Sequence, residues 1–187
     1  MKKGMAKTLL KILFVCLFIF LIFWVNKFAF DNGVIKNIVS TFGYTGILFT
    51  AVISGFNVVV PVPIIAFFPF FMELGFHPII AVLVIAFGMS VGDFFGFLIG
   101  SAGREVIKPK EGKILKRLED MREKHSLLPL VFMFFYAAFM PIPNELVVIP
   151  LAFLGYRMWK VMTVIFLGNI IFNTIAAFGF TQAFQLF

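Results

Sequence analysis

The sequence MPIPNE at residues 140–145 decides the fold, because its two prolines interrupt a strongly apolar stretch. A second Pro-x-Pro occurs 80 residues earlier, within VPVPII at residues 60–65. Proline breaks helices, and a bilayer tolerates broken helices only where they are buried in protein or line a cavity. The sequence therefore predicts two interrupted helices, one at Pro61 and Pro63 and the other at Pro141 and Pro143.

The same offset aligns further residues of the two halves. The pairs are Gly75 with Gly155, Gly88 with Gly168, and Val84-Ile85 with Val164-Ile165. Paired interruptions at corresponding positions of two halves are a sequence sign of a transporter's central site. Chance similarity between two apolar segments is the alternative explanation.

Composition places the chain in a membrane. The 187 residues are 61% hydrophobic and 13% charged, with a mean hydropathy of +1.06. A soluble domain of this length cannot hide that much apolar surface, so lipid must be the solvent for much of it. The net charge of +7 does not indicate a nucleic-acid partner, because the basic residues lie beside apolar runs, where they set topology and contact anionic lipid.

The apolar runs and their interruptions predict one all-α, polytopic membrane domain over residues 1–187 with three full spans. The predicted elements are a first span at 9–29, a re-entrant hairpin at 44–75, a span at 78–100, a basic amphipathic helix at 104–126, a re-entrant hairpin at 127–155 and a last span at 158–180. The polar residues 31–42 indicate a turn. The stretch 44–75 has 32 residues, whereas two full crossings need about 40 plus a turn, which favours a hairpin that returns to its own side.

The first span resembles a signal peptide, since four lysines precede its apolar run. We expect the span to be retained, because the sequence KFAF at 27–30 lacks the small residues that a signal peptidase needs. Cleavage before Asp31 is the alternative.

The distribution of basic residues agrees with two re-entrant hairpins. In that topology 14 of the 16 Lys and Arg lie on one side, and only Lys27 and Lys36 lie on the other. The positive-inside rule then places the N-terminus in the cytoplasm and the C-terminus outside. The hairpins enter from opposite sides, so the two halves form an inverted repeat. The 104–126 helix is expected to lie on the cytoplasmic membrane surface, and a solvated linker helix is the alternative.

Three carboxyl groups lie within or beside apolar segments, where ionisable side chains are candidate functional residues. Asp93 lies inside its span, Glu145 directly follows the second interruption, and Glu73 ends the first return arm. A lone buried carboxyl group binds a proton or a metal cation, which is the physical case for proton or sodium coupling. The alternatives are a protonated, hydrogen-bonded structural role, or an Arg104 side chain that snorkels back to Asp93.

Uncharged polar residues and one cation complete the candidate substrate- or ion-binding set. Asn144 lies at a helix break, where it either caps freed backbone groups or contacts substrate. Asn169 and Asn173 share a helix face, where interhelical hydrogen bonding is the alternative to a site role. Arg157 is the cation nearest to the second return arm. The glycines that repeat every four residues, and so favour close helix packing, are Gly88, Gly92, Gly96 and Gly100.

Motifs for enzyme chemistry do not appear in the sequence. There is no metal-ligand cluster, no Ser-His-Asp set and no phosphate-cradling loop. We therefore expect neither an enzyme nor a metal site or cofactor.

The chain resembles the DedA superfamily, also called the VTT-domain or SNARE-associated Golgi protein group. The residues that carry the resemblance are Pro61 and Pro63, then Gly92-Asp93 with Gly96, Gly100 and Gly103-Arg104, then the second interruption at 140–156 and Gly168-Asn169. The resemblance covers roughly residues 40–180. It implies two opposed re-entrant helices and movement of lipids across a membrane: recycling of polyprenyl-phosphate carriers by proton or sodium gradients in bacteria, and phospholipid scrambling in eukaryotes. We accordingly expect a prokaryotic plasma (inner) membrane.

Two positions depart from the family's pattern. Ile64 and Ile65 follow Pro63, where the family commonly has an acidic residue. Asn144 and Glu145 occur where the second motif often carries arginines. The second departure removes the cations that would meet a lipid phosphate at mid-depth, but it leaves groups that bind a cation or a proton.

Three functional hypotheses follow from the sequence. The first is a DedA-like lipid transporter or scramblase, with Asp93 and Glu145 between the hairpin tips. The second is an ion-coupled exporter of a small solute that uses the same two acids. The third is a non-transporting membrane scaffold whose basic 104–126 helix recruits partners. Membrane lipids and a proton or sodium ion are the expected partners, and homo-oligomerisation is left open.

Overall fold

The computed structural model describes residues 31–55, 64–106 and 113–185, together with Leu17, Phe20, Trp24, Lys27 and Phe28. These described residues form seven α-helices and contain no strand. The helices are α1 (Gly33–Gly55), α2 (Phe68–Glu73), α3 (Pro78–Val106), α4 (Lys113–Lys124), α5 (Leu128–Phe139), α6 (Glu145–Phe153) and α7 (Met158–Phe184), and a short 3₁₀ helix at Ile64–Phe67 precedes α2.

Three helices are long and apolar enough to cross a membrane. They are Gly33–Gly55, Pro78–Arg104 and Met158–Phe184. The prediction of an all-α membrane protein is confirmed to this extent, and α3 and α7 correspond to the predicted spans at 78–100 and 158–180. The predicted first span at 9–29 and the prolines Pro61 and Pro63 lie outside the described residues, apart from the five isolated positions.

The predicted turn at residues 31–42 is wrong, because helix α1 begins at Gly33. The polar residues that suggested a turn support the helix instead. The Asn32 side chain accepts hydrogen bonds from the backbone N–H groups of Val34 and Ile35, which caps the helix start. The hydroxyl of Ser40 donates to the carbonyl four residues back. Gly43, at φ 55° and ψ −141°, then divides α1 into a polar arm and an apolar arm.

Two side-chain hydrogen bonds join residues that lie about 30 positions apart in the sequence. The backbone N–H of His77 donates to the hydroxyl of Tyr44 at 2.8 Å, which joins the residue after the Gly43 kink to the residue before α3. The Tyr156 hydroxyl likewise donates to the carbonyl of Ser126 at 2.8 Å, which joins the two ends of the α5–α6 segment. The segments whose ends these bonds join are called the first hairpin, residues 44–77, and the second hairpin, residues 126–156.

The second hairpin breaks where the sequence predicts. Helix α5 ends at Phe139, Met140 is extended with φ −99° and ψ 119°, and α6 begins at Glu145. Pro141 and Pro143 lie in the interruption, and the Tyr136 hydroxyl donates to the carbonyl of Pro143 at 3.3 Å. The predicted break of the first hairpin, at Pro61 and Pro63, falls within residues 56–63, which lie outside the described residues.

Both hairpins end in the same glycine cap. Gly75 and Gly155 have positive φ angles of 82° and 78°, a conformation that costs glycine little. Three backbone hydrogen bonds around each glycine recur at the 80-residue offset. One of them runs from the N–H of Gly75 to the carbonyl of Met72, and its equivalent runs from the N–H of Gly155 to the carbonyl of Ala152. Gly75 directly precedes the start of α3, whereas Gly155 contacts the Arg104 side chain near the end of α3. The two caps therefore lie at opposite ends of one 29-residue helix.

The short arm of each hairpin packs on the long helix of the other half. Helix α6 packs along α3, and the 3₁₀ helix and α2 pack on α7. One apolar cluster surrounds the first hairpin and includes Ala177 of α7, and a second surrounds the second hairpin and includes Phe97 of α3. Burial of these mixed clusters holds the two halves together, because each contains residues from both.

Glycines of α3 allow its neighbours to approach closely. A Cβ at Gly92 would lie 2.6 Å from the Cα of Gly55 in α1. A Cβ at Gly100 would lie 2.5 Å from the carbonyl oxygen of Ile149 in α6. The predicted packing role of the glycine stripe is confirmed at these positions, because any larger side chain would separate the helices.

The basic helix is shorter than predicted and packs on protein. Helix α4 covers Lys113–Lys124, whereas residues 104–106 belong to α3 and 107–112 lie outside the described residues. Leu118 is buried, and Leu115 and Met121 pack against the cluster around the second hairpin. The alternative of a linker helix that packs on nothing is therefore wrong.

Candidate functional site

Six polar side chains are buried between α3, α7 and the break of the second hairpin. They form the Asp93 cluster, which consists of Ser90 and Asp93 of α3, Asn144 and Glu145 at the break, and Asn169 and Asn173 of α7. Asp93 is 1% exposed, and it lies near the middle of α3. The cluster is thus the place where both halves bring polar groups into the apolar interior.

One carboxylate oxygen organises the centre of the cluster. Oδ2 of Asp93 accepts hydrogen bonds from Nδ2 of Asn144 at 3.0 Å and from Nδ2 of Asn169 at 3.1 Å. Nδ2 of Asn144 also lies 3.2 Å from Oδ1 of Asn169. Two amides from different elements therefore hold the same oxygen atom, which fixes the carboxyl group in one orientation.

The remaining amide and hydroxyl groups extend the network along α3 and α7. Nδ2 of Asn169 donates to the Ser90 hydroxyl at 3.0 Å, and this hydroxyl donates in turn to the carbonyl of Ala86 at 2.8 Å. Nδ2 of Asn173 donates to the backbone carbonyl of Asn169 at 2.7 Å and lies 3.5 Å from Sδ of Met89. The alternative of interhelical hydrogen bonding is confirmed for Asn169, whose amide reaches Ser90 and Asp93 of α3, and both asparagines belong to the same cluster as Asp93.

Two oxygen atoms of the cluster are buried without a hydrogen bond among the described residues, namely Oδ1 of Asp93 and Oδ1 of Asn173. A buried acceptor without a donor costs free energy, so native proteins rarely retain one without a reason. These atoms are available to a proton or to a small cation. Among the described residues, no group of three or more His, Cys, Asp and Glu side chains could hold a metal ion.

Glu145 can pack against α3 because the residue of α3 that faces it, Gly96, has no side chain. A Cβ at Gly96 would lie 3.1 Å from Cγ of Glu145. Glu145 is the first residue of α6 and is 5% exposed, so it starts the helix from within the interior. A carboxylate at a helix N-terminus is favoured by the helix dipole. Gly96 follows Asp93 by three residues, so the two positions share a face of α3. The contact of Glu145 with Gly96 therefore brings its carboxyl group close to Asp93.

Other predicted site residues lie elsewhere. Glu73 forms an ion pair with Lys36 at 2.5 Å, and both side chains are more than a third exposed. Arg157 precedes α7 and is separated from Asn169 by 12 residues of that helix, or about 18 Å of rise. Arg104 lies against Gly155 rather than at Asp93, so the predicted alternative of a snorkelling Arg104 partner is not found.

Ser90 is the member of the cluster that the sequence did not single out. It precedes Asp93 by three residues, so the two side chains share a face of α3. A serine at that spacing from a buried acid was the available signal. Asp93 and Glu145, by contrast, were recognisable because ionisable groups are rare in apolar segments.

A crevice lies beside the cluster on the surface between α3 and α7. It has a volume of about 360 Å³ and is lined by Phe87, Ser90, Val91, Phe94, Met162, Thr163 and Phe166. Phe87 is 53% exposed and meets Phe166 edge-to-face at 6.3 Å between ring centroids. Ser90 contributes to both the crevice and the Asp93 cluster, so it is the link between the surface and the buried acid.

No protein-family model matches the chain, and no match was found among curated proteins or solved structures.

Proposed function

We propose that the chain is a membrane transporter or scramblase that moves lipids across the bilayer, with the Asp93 cluster as its central site. The observation that carries the proposal is the meeting of Asp93 with Asn144 and Glu145 in the interior of a membrane protein. Burial of two acids in an apolar chain is costly, and such groups in membrane proteins mark substrate or ion pathways. The resemblance to the DedA superfamily points to the same function.

Two re-entrant hairpins in an inverted repeat are part of this proposal. Helix α5 has 12 residues and α6 has nine, which correspond to about 18 Å and 14 Å of rise. Each arm is shorter than the hydrocarbon core of about 30 Å, and the hairpin returns to its starting end at Tyr156. Equivalent caps at opposite ends of α3 support the inversion, as does the reciprocal packing of short arms on long helices. Met140 and Ile142 of the break are exposed, whereas Asn144 and Glu145, which follow it, are buried.

In the proposed mechanism Oδ1 of Asp93 is the atom that takes up the coupling proton or sodium ion. Oδ2 already accepts two amide hydrogen bonds, so a proton or cation meets the free oxygen. A change in charge at Asp93 alters the strength of the bonds to Asn144 and Asn169. Because Asn144 belongs to the hairpin break and Asn169 to α7, the charge of Asp93 is coupled to the packing of both elements.

A lipid substrate is favoured over a hydrophilic solute by the surroundings of the cluster. The crevice beside Ser90 is lined almost wholly by apolar and aromatic side chains. A polar solute would lose its hydration there without new hydrogen bonds, whereas an acyl chain would not. The crevice is therefore the proposed place where lipid approaches the site from the side.

The test is lipid translocation in liposomes that contain the purified full chain. A fluorescent phospholipid and a fluorescent polyprenyl phosphate are followed separately, with and without proton and sodium gradients. We expect translocation by the wild type, and rates close to those of protein-free liposomes for Asp93→Asn and for Glu145→Gln. Matched controls are Asp120→Asn and Glu119→Gln, the same changes at exposed positions of α4, which should leave the rate unchanged.

The other outcomes distinguish the remaining hypotheses. Normal translocation by both interior variants would exclude the proposed role of the cluster. Absence of lipid translocation together with an Asp93-dependent proton or sodium flux would favour the ion-coupled exporter. Absence of both fluxes would favour the scaffold. Labelling of single cysteines on either side of the membrane tests the proposed orientation, with the N-terminus in the cytoplasm and the C-terminus outside.

A further inference from the structure

A second site lies at the Gly155 end of the molecule, away from the Asp93 cluster. Four cations from three elements converge there and form the cationic cluster, namely Arg104 of α3, Arg122 of α4, and Arg157 and Lys160 at the start of α7. The Arg104 guanidinium lies directly against Gly155, whose missing side chain makes room for it. Nη1 of Arg122 donates to the carbonyl of Leu154 at 2.7 Å. The tertiary fold therefore assembles these charges, which are distant along the chain.

Three of the four cations line a small cavity, and Arg104 lies against Gly155 at its edge. The cavity has a volume of about 180 Å³ and is lined by Arg122, Ser126, Gly155, Tyr156, Arg157 and Lys160. This volume is below that of pockets that enclose a whole drug-sized ligand, and it suits a compact group. The Tyr156 hydroxyl bonds to the Ser126 carbonyl and closes one side of the cavity. The walls are thus held in place by hydrogen bonds of the fold itself.

The cationic cluster has no negative partner among the described residues. None of its four side chains forms an ion pair, although α4 also carries Glu119, Asp120 and Glu123. Burial raises the pKa of the Tyr156 hydroxyl, although the charge of Arg122 acts in the opposite direction, so Tyr156 adds no negative charge near neutral pH. The N-terminal end of α7 contributes further positive potential beside Arg157. Like charges that converge without a counter-charge repel one another, and a bound anion would relieve this repulsion.

The chemistry of these side chains selects phosphate. Arginine presents a planar fork that binds phosphate oxygens in pairs, and lysine adds a mobile point charge. Trp159 lies between Arg157 and Lys160 in the sequence and is 60% exposed, and Nζ of Lys160 lies 5.6 Å from the centroid of its ring. Exposed tryptophan beside tyrosine and cations is typical of the headgroup layer of a bilayer. The anion within reach is therefore the phosphate of a lipid.

We propose that the cationic cluster binds the phosphate of an anionic lipid headgroup at the membrane interface, with the acyl chains beside Trp159. The site does not depend on the proposed function, because a lipid bound there need not cross the bilayer. It also differs from the Asp93 cluster in chemistry, since it contains cations rather than acids.

The test measures lipid binding at Trp159 without any transport readout. The full chain with Trp24→Phe retains Trp159 as its one tryptophan, so quenching by lipids with brominated chains reports lipid beside the site. Vesicles contain brominated phosphatidylglycerol or brominated phosphatidylcholine in an unbrominated background. We expect a relative binding constant for the anionic lipid about tenfold above that for the zwitterionic lipid, and a decline of this preference with salt.

The deciding variant is the double change Arg157→Gln with Lys160→Gln, which should abolish the preference. For these two residues the described hydrogen bonds are made by the backbone, so their change should preserve the fold. The matched control is Lys113→Gln with Lys116→Gln, which removes the same charge from exposed positions of α4 outside the cavity. An equal loss of preference in the control would overturn the proposal in favour of diffuse surface attraction. Displacement of the anionic lipid by inorganic phosphate alone would overturn the assignment to a lipid headgroup.

Discussion

The two ends of α3 carry the same backbone motif with different chemistry. At the Gly75 end, Lys36 and Glu73 neutralise each other in an ion pair. At the Gly155 end, four cations converge and none of them is paired among the described residues. The capping bonds around the two glycines are nevertheless the same at the 80-residue offset. The two ends therefore share a backbone conformation, whereas their side chains differ in charge.

The same contrast holds in the interior. The second hairpin presents Asn144 and Glu145 to α3, and the equivalent residues of the first hairpin are the buried Ile64 and Ile65. Asp93 of α3 corresponds to an uncharged amide, Asn173, in α7. Both acids, Asp93 and Glu145, thus lie where the second hairpin meets α3. The residues at the corresponding positions of the first hairpin and α7 carry no charge. We infer that a single charged site, rather than a symmetric pair, serves the molecule.

The largest loss of stability is expected at two glycine contacts that are alike in the two halves. A Cβ at Gly88 would lie 2.5 Å from the Cβ of Ala51, and a Cβ at the equivalent Gly168 would lie 2.6 Å from the Cβ of Ala137. Gly88→Val and Gly168→Val should each lower the free energy of unfolding by about 3 kcal/mol, because both overfill a helix contact. Unfolding in mixed detergent micelles, followed by circular dichroism, measures the loss.

The control for these variants is Gly179→Val in α7, where nothing lies within 4 Å of the added Cβ. It should change stability by less than about 0.5 kcal/mol. A large loss at only one of Gly88 and Gly168 would show that the two contacts are not equivalent.

The next largest loss of stability is expected at a position where the two halves differ, Asn144 in the second hairpin and Ile64 in the first. Asn144→Ile gives the second hairpin the residue found at the equivalent Ile64 of the first. It should cost about 2 kcal/mol, because Oδ2 of Asp93 loses one of its two buried donors. Ile64→Val removes only a methyl group at the matched buried position and should cost about 1 kcal/mol. If Asp93→Asn removes the cost of Asn144→Ile in a double-mutant cycle, the bond between them is its source, and additive costs would contradict this account.

The sequence predicts the helix break at Pro141 and Pro143 better than the contacts around it. Pro141, Pro143 and the two glycines act locally, through a missing donor and a permitted positive φ, so the pattern is sufficient to place them. The predicted turn at residues 31–42 is wrong because Ser and Asn are common in turns but also occur in helices. Their side chains cap helix starts and donate to carbonyls four residues back. Local composition does not distinguish these two uses of the same groups.

The members of the Asp93 cluster were largely recognisable, whereas their pairing was not. Asp93 and Asn144 are 51 residues apart, and Asp93 and Asn169 are 76 residues apart. Which amides reach the acid depends on how α6 crosses α3, and that crossing is set by glycines whose partners lie on other helices. For the same reason Arg122 and Arg157 are interpreted from the sequence as topology signals, although the fold brings them to one cavity.

A smaller effect compares the two caps. Gly75→Ala should cost about 1 kcal/mol, because alanine is strained at positive φ and nothing lies near the added Cβ. Gly155→Ala should cost about 2 kcal/mol, since the Arg104 guanidinium must also move. Combining Gly155→Ala with Arg104→Ala should restore the smaller cost. Equal costs for the two single variants in thermal unfolding would indicate that Arg104 does not constrain Gly155.

The smallest expected changes in stability have opposite signs at the Gly75 end and the Gly155 end of α3. Lys36→Met removes one partner of an ion pair whose side chains are 35% and 41% exposed, so it should lower stability by about 0.5 kcal/mol at low salt. Arg157→Gln removes a cation from an unpaired cluster at the N-terminal end of α7, where the helix dipole also disfavours positive charge, so it should raise stability slightly in lipid-free detergent. Salt should diminish both changes, because it screens attraction and repulsion alike. Addition of anionic lipid should reverse the sign for Arg157→Gln alone, since the lost cation then belongs to an occupied site. Loss of stability in both variants without lipid would instead mean that the cations at the Gly155 end are paired in solution.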